Sequence, residues 1–420
     1  SSIGSYTGNG AAGNEQNTGF EPAFVLIKRT DSAGAWSLYD NKRSPSNPRD
    51  KKLVPNSDAA ENNAGTTYQL NFLTNGFNFL GGGSDLNSNG GTFIYIAFAA
   101  DPSTAPTLAD SFANKLYTGT GSTQSITGLG FSPNFSWFKS RSNATSNVLH
   151  DTVRGALSRI FSNSTAAAST IADGFVSFDS DGFTLDGTGS GGDVNTSGRT
   201  YVAWNWKANP IPTINTDGTI QSIVSANQAS GFSIVSYTGT GSSGTYGHGL
   251  SSSPDWIITK RTDAVEGWIV WSSSLSASNY MYLNSSGAAG TDTNAYKTIG
   301  ATTNQIGTDV TVNASGGEYI SYCFTSITGF SSIGSYTGQT AGVTITTGFR
   351  PSFIMVKSSS NIENWAILDT ARGTGKALNP NLDAAESDSA LNTFTVSDTG
   401  FSFPNQSIAD AMLNLSLIHI

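Results

Sequence analysis

The sequence predicts an all-β protein composed of tandem antiparallel β-sandwich domains. Charged residues make up only 12% of the chain, about half the usual share in soluble proteins. The chain has 23 Phe, 14 Tyr and 8 Trp for burial and 47 Gly for turns, a combination typical of strands separated by tight connections. A strand signature that occurs four times indicates that related domains follow one another along the chain.

This signature reads Pro-x-aromatic-x-x-x-Lys, and its lysine always lies six positions after the proline. The four copies are Pro22 to Lys28, Pro133 to Lys139, Pro254 to Lys260 and Pro351 to Lys357. Side chains alternate along a strand, so Phe24 and Leu26 share one face while Val25 and Ile27 share the other. Because both faces are apolar, we expect a central strand that is covered on both sides. We expect the lysine to reach water at the strand end or to pair with an Asp of the next strand.

A Tyr-Thr-Gly motif precedes each signature, so the chain divides into four modules. The motifs begin at Tyr6, Tyr117, Tyr237 and Tyr336. Their spacing of about 100 residues is that of whole domains, since solenoid repeats have roughly 20 to 50 residues. We number the modules in chain order: module 1 (residues 1–101, subtype A), module 2 (113–208, subtype B), module 3 (231–327, subtype C) and module 4 (328–414, a truncated subtype A).

Modules 1 and 4 are assigned to one subtype because they share the run Ser-Ser-Ile-Gly-Ser-Tyr-Thr-Gly and an Ala-Ala-Glu turn that ends at Glu61 and Glu386. Residues 209–230 form a linker, and its run from Gly218 to Val224 is expected to add a strand beside module 3. Module 4 is expected to stop before its closing strand. Residues 415–420 resemble the translation of a sequencing-library adapter, so we expect this tail to be foreign to the natural protein.

A second strand follows each signature, and in three modules it begins with a tryptophan: Trp36, Trp268 and Trp365. In modules 2 and 4 the strand ends in Asp-Thr-x-Arg-Gly. We expect Asp151 with Arg154, and Asp369 with Arg372, to form an Asx-type turn stabilised by a local ion pair. Module 1 keeps an Arg three positions after Asp40, whereas module 3 lacks both the Asp and the Arg.

Two further strands complete modules 1 to 3, and module 4 is expected to have only the first of them. One opens on a tight turn whose glycine tolerates positive φ, at Gly76, Gly182 and Gly400, with only a degenerate trace near Gly307 in module 3. The closing strand contains Phe93, Tyr201 or Tyr319. An Asn-x-x-Gly turn precedes each closing strand, at Asn87, Asn195 and Asn313.

Charge and cysteine content argue against several classes of protein. A net charge of −9 without a Lys/Arg cluster disfavours nucleic acid or an anionic membrane surface as the partner. The longest apolar run, Phe93 to Ala100, is too short to insert across a bilayer. A single cysteine, Cys323, leaves no intrachain disulfide and no Cys-based metal site, and it is expected in the core of a strand.

Surface glycan recognition is the functional interpretation of the tryptophans, because the apolar face of a sugar stacks on an aromatic ring. The candidates are Trp204, Trp206, Trp36, Trp268 and Trp365. The alternative is that they fill the cores of the modules, and it is favoured for tryptophans at matched positions. Trp206 aligns with Phe324 in module 3 but with Ala100 in module 1, so we expect Trp206 at the surface.

Catalytic and metal-binding patterns are sparse. Asp179 and Asp181 share a strand face, as a glycosidase carboxylate pair or an oxygen-rich Ca²⁺ site would require. However, Asp-Ser-Asp-Gly is also an ordinary hairpin turn. His150 and His248 lie in different modules, which argues against a Ser-His-Asp triad or a His-based zinc site. The sequence therefore predicts a protein that is not an enzyme and has no cofactor, Ca²⁺ being the one ion considered.

The chain resembles an uncharacterised tandem domain of virion-associated proteins in marine tailed phages. The resemblance rests on Tyr-Thr-Gly, Gly-Phe-x-Pro-x-Phe…Lys, Leu-x-Asp-x-x-Arg-Gly, Asp-Gly-Phe and Tyr-Val-Ala-Trp, and it extends from residue 1 to about residue 405. Module 2 is the closest match and module 3 departs most. That family is similar to concanavalin-A-like or SPRY-like jelly-roll sandwiches, and it offers no catalytic motif to transfer.

The resemblance implies a phage tail-fibre-like protein in the virion, outside the cell. Its implied partners are a host-surface polysaccharide or receptor and other virion proteins. One alternative is a ligand-free structural spacer or capsid decoration protein, and a second is a glycan hydrolase on a concanavalin-A-like fold. The oligomeric state stays open, because the sequence has neither coiled-coil heptads nor collagen-like repeats. Ligand contacts are expected in loops that differ between modules, at residues 40–50, 187–195 and 241–249.

Overall fold

A computed structural model describes residues 1–73, 75–99, 110–171, 173–187, 192–275, 278–339, 341–388, 393–404 and 417–419. The chain divides into two compact units, Ser1–Ala105 and Pro106–Ile420. The first unit holds module 1, and the second holds modules 2, 3 and 4. Among the described residues, no helix has both the length and the apolar character needed to cross a membrane.

The predicted all-β fold of tandem antiparallel sandwiches is confirmed. Each module has a main sheet of four or more strands and a small sheet of three strands. An apolar core lies between the two sheets of each module. The helical segments of the described chain are single turns.

In its described residues, module 1 has nine strands and one 3-10 turn. They are β1 Ser2–Thr7, β2 Glu15–Asn17, β3 Pro22–Arg29, β4 Ser37–Asp40, β5 Lys51–Lys52, β6 Asn62–Asn63, the 3-10 turn Thr66–Tyr68, β7 Leu70–Leu73, β8 Gly76–Phe79 and β9 Thr92–Ala99. The main sheet has the order β1-β9-β3-β4, the small sheet is β2-β8-β7, and β5 pairs with β6.

Module 2 repeats this arrangement with a wider main sheet. Its elements are β10 Phe112–Thr118, β11 Gln124–Thr127, β12 Phe135–Ser140, β13 Val148–Asp151, β14 Ser158–Phe161, β15 Ser169–Thr170, β16 Phe175–Asp179, β17 Gly182–Leu185, α1 Gly192–Asn195 and β18 Thr200–Trp206. The main sheet runs β10-β18-β12-β13-β14-β15, and the small sheet runs β11-β17-β16.

Module 3 has the largest main sheet, β19-β20-β21-β29-β23-β24-β25-β26, beside a small sheet β22-β28-β27. Its elements are β19 Thr213–Asn215, β20 Ser222–Asn227, β21 Phe232–Thr238, β22 Gly244–Gly247, β23 Trp256–Arg261, β24 Trp268–Ser272, β25 Asn279–Tyr282, β26 Gly290–Thr291, β27 Tyr296–Ile299, β28 Thr303–Ile306, α2 Val310–Asn313 and β29 Glu318–Phe324. The run from Gly218 to Val224, expected to add a strand beside module 3, overlaps β20, which pairs with β21. The hairpin predicted near Gly307 lies just before that glycine, as β27 and β28.

Module 4 has the same two sheets in the described residues. Its strands are β30 Gly334–Tyr336, β31 Val343–Thr346, β32 Phe353–Ser358, β33 Ala366–Asp369, β34 Lys376–Ala377, β35 Ser387–Asp388, β36 Thr395–Ser397, β37 Gly400–Phe403 and β38 Leu417–His419. Strand β38 lies between β30 and β32, where the other modules have their closing strand. The adapter origin proposed for residues 415–420 stays a prediction.

The Tyr-Thr-Gly motif is explained by the fold. The hydroxyl of Tyr117 donates to Val194 O at 2.7 Å, and Tyr237 donates to Val312 O at 2.8 Å. The next residue along the chain in each case is the Asn of the Asn-x-x-Gly turn, and Asn313 Oδ1 accepts the N–H of Thr240 at 2.8 Å. The motif glycine is required by close approach, because a Cβ on Gly119 would lie 2.3 Å from a backbone oxygen. The constancy of this motif is therefore structural.

The signature strands β3, β12, β23 and β32 each lie inside a main sheet. In module 2, Phe138 of β12 enters the core between the two sheets of the module. Phe135 and Trp137 point from the opposite face into a second core that also contains side chains of modules 3 and 4. The expected burial of both strand faces is confirmed for modules 2, 3 and 4, and the cover on the second face comes from neighbouring modules.

Candidate functional site: the junction of modules 2, 3 and 4

The main sheets of modules 2, 3 and 4 share one apolar core, which we call the junction. Its largest side chains are Phe135, Trp137, Trp204, Trp206, Phe232, Trp256, Trp268, Tyr322, Phe324 and Trp365. Full burial of a large apolar side chain contributes roughly 1.5–3 kcal/mol. The junction is therefore a principal source of stability for the second unit, alongside the core of each module.

A small void lies in the junction. Its volume is about 10 Å³, and its lining includes Phe135, Trp206, Tyr322, Phe324 and Phe353. A void of that size holds at most about one water molecule, so it offers no room for a sugar. The junction is a packed core and has the character of a structural interface.

Backbone hydrogen bonds connect the three modules in a closed cycle. The N–H of Thr145 in module 2 donates to Asp383 O in module 4 at 2.8 Å. The N–H of Glu266 in module 3 donates to Thr165 O in module 2 at 2.9 Å. The N–H of Glu363 in module 4 donates to Ser286 O in module 3, also at 2.9 Å. The same type of contact therefore occurs at all three boundaries.

A second set of backbone bonds runs in the opposite direction at the same boundaries. The donors and acceptors are Glu386 N to Arg141 O at 2.9 Å, Ala168 N to Thr262 O at 2.8 Å and Ala289 N to Ser359 O at 2.9 Å. Each boundary thus has two backbone hydrogen bonds between equivalent positions. Three related modules that repeat one contact in a cycle form a pseudo-threefold ring.

The residue at the start of the second strand, eight positions after the signature lysine, forms a side-chain bond across each boundary. The indole N–H of Trp268 donates to Phe161 O of module 2 at 2.9 Å, and that of Trp365 donates to Tyr282 O of module 3 at 2.9 Å. In module 2 the same position is Asn147, whose amide donates to Leu382 O of module 4 at 2.8 Å. The matched tryptophans Trp268 and Trp365 are therefore core residues, and their polar atoms fix the order of the modules.

Within the described part of the chain, no signature lysine forms an ion pair with an Asp. The prediction of such a pair, or of a solvated strand end, is wrong for Lys139, Lys260 and Lys357. These side chains are fully buried and donate to backbone carbonyls. Burial disfavours the charged ammonium and lowers the pKa of each to about 8. Lys139 Nζ contacts Asp383 O of module 4 at 2.9 Å, and Lys260 Nζ contacts Thr165 O of module 2 at 3.3 Å.

The Asp-x-x-Arg turns are confirmed. Asp151 Oδ1 accepts the N–H of Arg154 at 2.8 Å while its Oδ2 lies 2.6 Å from Arg154 Nε. These turns also receive donors from neighbouring modules. The hydroxyl of Tyr322 in module 3 donates to Asp151 at 2.7 Å, and the indole of Trp204 in module 2 donates to Asp369 in module 4 at 3.0 Å. Burial and the adjacent Asp151 raise the pKa of Tyr322 well above its usual value.

A largely buried ion-pair cluster joins module 4 to module 2. Glu386 accepts from Nε and Nη2 of Arg141 at 2.9 and 3.0 Å, and from Nη1 of Arg372 at 3.2 Å. A bidentate carboxylate–guanidinium pair is both strong and geometrically specific. In the sequence, Glu386 is recognisable only as part of a subtype-specific turn. Its partner Arg141 belongs to no repeated motif, so sequence reasoning missed the pair.

The family comparison follows the same division of the chain. A family model described as a domain of unknown function, DUF7483, matches residues 1–102 and 107–415. The chain belongs to the DUF7483 family. The second matched segment of this DUF7483 chain contains all three modules that form the junction. Searches of curated proteins and of solved structures found no match.

The expectation that Trp206 lies at the surface is wrong. Trp206 is 8% exposed and packs against Phe135 and Phe353, with ring centroids 5.1 and 5.5 Å apart. The expectation depends on a sequence alignment that matches Trp206 to Ala100, but equivalent residues are those that occupy the same position in the strand pairing. Trp206 pairs with Phe135 as Phe98 pairs with Phe24, so the equivalent of Trp206 in module 1 is Phe98 and not Ala100.

Three of the four remaining candidate tryptophans also lack an open binding face. Trp204, Trp268 and Trp365 are fully buried, and only Trp36 of module 1 is half-buried. Stacking against a sugar needs an exposed ring face. The junction therefore brings together four of the five predicted ligand-binding residues of this DUF7483 chain, and it buries them.

Asp179 and Asp181 hold the β16–β17 hairpin. Asp179 accepts hydroxyl donors from Ser177 and Thr184, both at 2.7 Å. Asp181 accepts the N–H groups of Gly128 and Gly130, and these bonds lower the pKa of Asp181. Across the described parts of the chain, no three His, Cys, Asp or Glu side chains are grouped as a metal site would require.

Proposed function

We propose that this chain is a non-enzymatic structural protein whose β-sandwich modules assemble in threes into rigid blocks. The observation that supports the proposal is the cyclic junction of modules 2, 3 and 4. Each main sheet in it has both faces buried, one against its own small sheet and one against its neighbours. A block of this kind resists opening, because moving one module breaks two boundaries at once.

The setting that we propose is the virion of a tailed phage. This part rests on the resemblance described in the sequence analysis, which implies an extracellular particle and other virion proteins as neighbours. Rigid repeated blocks fit a spacer or decoration protein in such a particle. Mass spectrometry of purified virions tests the setting, and consistent absence of the protein from them would contradict it.

The architectural version is favoured over the lectin-like version. The lectin-like hypothesis used Trp36, Trp204, Trp206, Trp268 and Trp365 as stacking platforms. Four of these rings contribute to the junction core and are closed to a sugar. A host-surface ligand would have to bind elsewhere, in the loops that differ between modules.

A glycan array with the full chain separates the two versions. We expect no saturable signal, because the aromatic candidates are buried. The matched control is Trp36→Ala, since Trp36 is the one half-buried candidate. Saturable binding by the wild-type chain would overturn the spacer proposal, and its loss in Trp36→Ala would assign that binding to module 1.

A further inference from the structure

Module 1 exposes the sheet face that modules 2 and 3 bury in the junction. Phe98 is 46% exposed and Ile94 is 43% exposed. Their register equivalents in module 2 are Trp206, which is 8% exposed, and Val202, which is fully buried. An exposed contiguous apolar face of this kind marks an interaction surface.

Module 1 also has the polar side chains by which module 4 binds its neighbours. Trp36 occupies the position of Trp365. The backbone N–H of Trp36 donates to Asn56 Oδ1 at 3.0 Å, as that of Trp365 donates to Asn381 Oδ1 at 3.1 Å. The Trp365 indole donates across a boundary to Tyr282 O at 2.9 Å. Within the described residues, the indole N–H of Trp36 has no acceptor. The indole N–H of Trp36 is therefore available to donate to a backbone carbonyl of a partner, as that of Trp365 does.

The carboxylate of the Ala-Ala-Glu turn gives a second matched contact. Arg43 lies 3.0 Å from Glu61, as Arg372 lies 3.2 Å from Glu386. In module 4 the glutamate also binds Arg141 of module 2, and its side chain is 8% exposed. The side chain of Glu61 is 35% exposed, so it has room for the same second guanidinium.

A third contact, between a closing strand and the end of a second strand, indicates module 3 as the neighbour of module 1. In the cycle, Tyr322 of module 3 donates to Asp151, and Trp204 of module 2 donates to Asp369. Module 1 has Ile96 at the register position of these two donors. Module 3 has Ser272 at the position of the two acceptors. When module 1 docks with Ile96 facing Ser272, no buried Asp is left without a hydrogen-bond donor. This explains why module 3 can lack the Asp and the Arg at the end of its second strand.

We propose that module 1 is a second docking module of the module 4 type, and that its partner is the pair of modules 2 and 3 in a second copy of the chain. In that complex module 1 occupies the position of module 4. Trp36 donates to Tyr282 O, Glu61 binds Arg141, and Phe98 enters the junction core. The inference rests on the proposed assembly in threes and names its partner.

The native module 4 competes for this position within its own chain. Its attachment gives it a high effective concentration, so exchange is rare in dilute wild-type protein. The contact is also heterologous, because module 1 of one copy binds a different surface of the next. Contacts of this type extend into open chains unless the rotation closes.

The test mixes two full-length proteins. The receiver carries Trp365→Ala and Glu386→Lys, which release module 4, together with Trp36→Ala and Glu61→Lys, which disable its own module 1. The donor is the wild-type chain. We expect a 1:1 complex in sedimentation velocity at tens of micromolar protein. Two separate monomers would contradict the proposal.

The control donor carries Trp36→Ala and Glu61→Lys, and we expect it to form at least tenfold less complex with the same receiver. Circular dichroism verifies that the receiver is folded. If the receiver is unfolded, the receiver with only Glu61→Lys and Glu386→Lys replaces it. A 1:1 complex with the wild-type donor again supports the proposal, and two separate monomers again contradict it.

A disulfide test locates the contact. A donor with Glu61→Cys is mixed with a receiver in which Arg141→Cys is added, and the native Cys323 is buried and does not compete. We expect cross-linked dimer in this mixture and none when the donor cysteine is placed at Glu15→Cys instead. Equal cross-linking at both positions would contradict the proposed docking. Absence of docking would leave the proposed structural function intact, because a different result, saturable glycan binding, is the one that would overturn that function.

Discussion

Modules 1 and 4 have the same subtype motifs, yet their matched side chains have different surroundings. Trp365 is fully buried, whereas Trp36 is half-buried. Glu386 holds Arg141 of module 2 and its own Arg372, whereas Glu61 holds only Arg43 among the described residues. In module 4 these side chains bind neighbouring modules. We propose the same role for their counterparts in module 1.

The largest expected difference between the two modules comes from the tryptophans. Trp365→Ala removes a buried indole and its bond to Tyr282 O, so we expect the free energy of unfolding of the second unit to fall by about 4 kcal/mol. Trp36→Ala should cost about 1 kcal/mol, because that ring is half-exposed. Denaturant titration of both variants measures the two values. Equal losses would show that the tryptophan serves the sandwich and not the junction.

The second largest difference is expected at the glutamates. Glu386→Ala leaves Arg141 and Arg372 without their shared carboxylate in a buried site, so we expect a loss of about 3 kcal/mol. Glu61→Ala breaks one partly exposed pair and should cost less than about 1 kcal/mol. Thermal unfolding in low and high salt compares them. A larger loss for Glu61→Ala would reverse the assignment of the two glutamates.

The smallest effect is a pH dependence of the junction lysines. Burial lowers the pKa of Lys139 to about 8 in the folded chain, below the unfolded value of about 10.4. Between these values the unfolded chain binds more protons, so the stability contributed by this site rises with pH from about 8. We expect the stability difference between wild-type and Lys139→Met to shift in favour of the wild-type from pH 8 to 10. The difference cancels the opposing titration of buried tyrosines.

Lys260→Met provides the matched comparison, because Lys260 is also buried and its pKa is also lowered to about 8. The two variants should show the same direction of change. A difference between wild-type and variant that is flat from pH 7 to 10 in both cases would contradict the lowered pKa. Chemical denaturation at each pH provides the measurement.

Local patterns predicted the fold well. Alternation along the signature strand predicted two buried faces, and Phe138 and Trp137 occupy the two cores that this requires. The Asp-x-x-Arg spacing predicted the Asx turn of Asp151 and Arg154. These features depend on residues close in sequence, so the spacing of a few residues determines them.

The candidate site was harder to predict, because its contacts join residues that lie far apart in the chain. The sequence alignment matches Trp206 to Ala100 and so predicts a surface position, whereas strand register matches Trp206 to the apolar Phe98. The sequence predicts an Asp partner for Lys139, but its acceptors include the backbone carbonyl of Asp383 in another module. The sequence alone does not show whether an aromatic side chain stacks on a sugar or packs against a neighbouring sheet. Its contact partner depends on how whole modules assemble.

Amide hydrogen exchange tests the closed cycle most directly. The N–H groups of Thr145, Glu266 and Glu363 each cross one boundary, so in wild-type protein they should exchange as slowly as amides inside the main sheets. In Trp365→Ala all three should lose protection together, while Leu38 N–H of module 1, which donates to Leu53 O, keeps its protection. Loss confined to Glu363, with Thr145 and Glu266 unchanged, would show that the boundaries are independent and would contradict the ring.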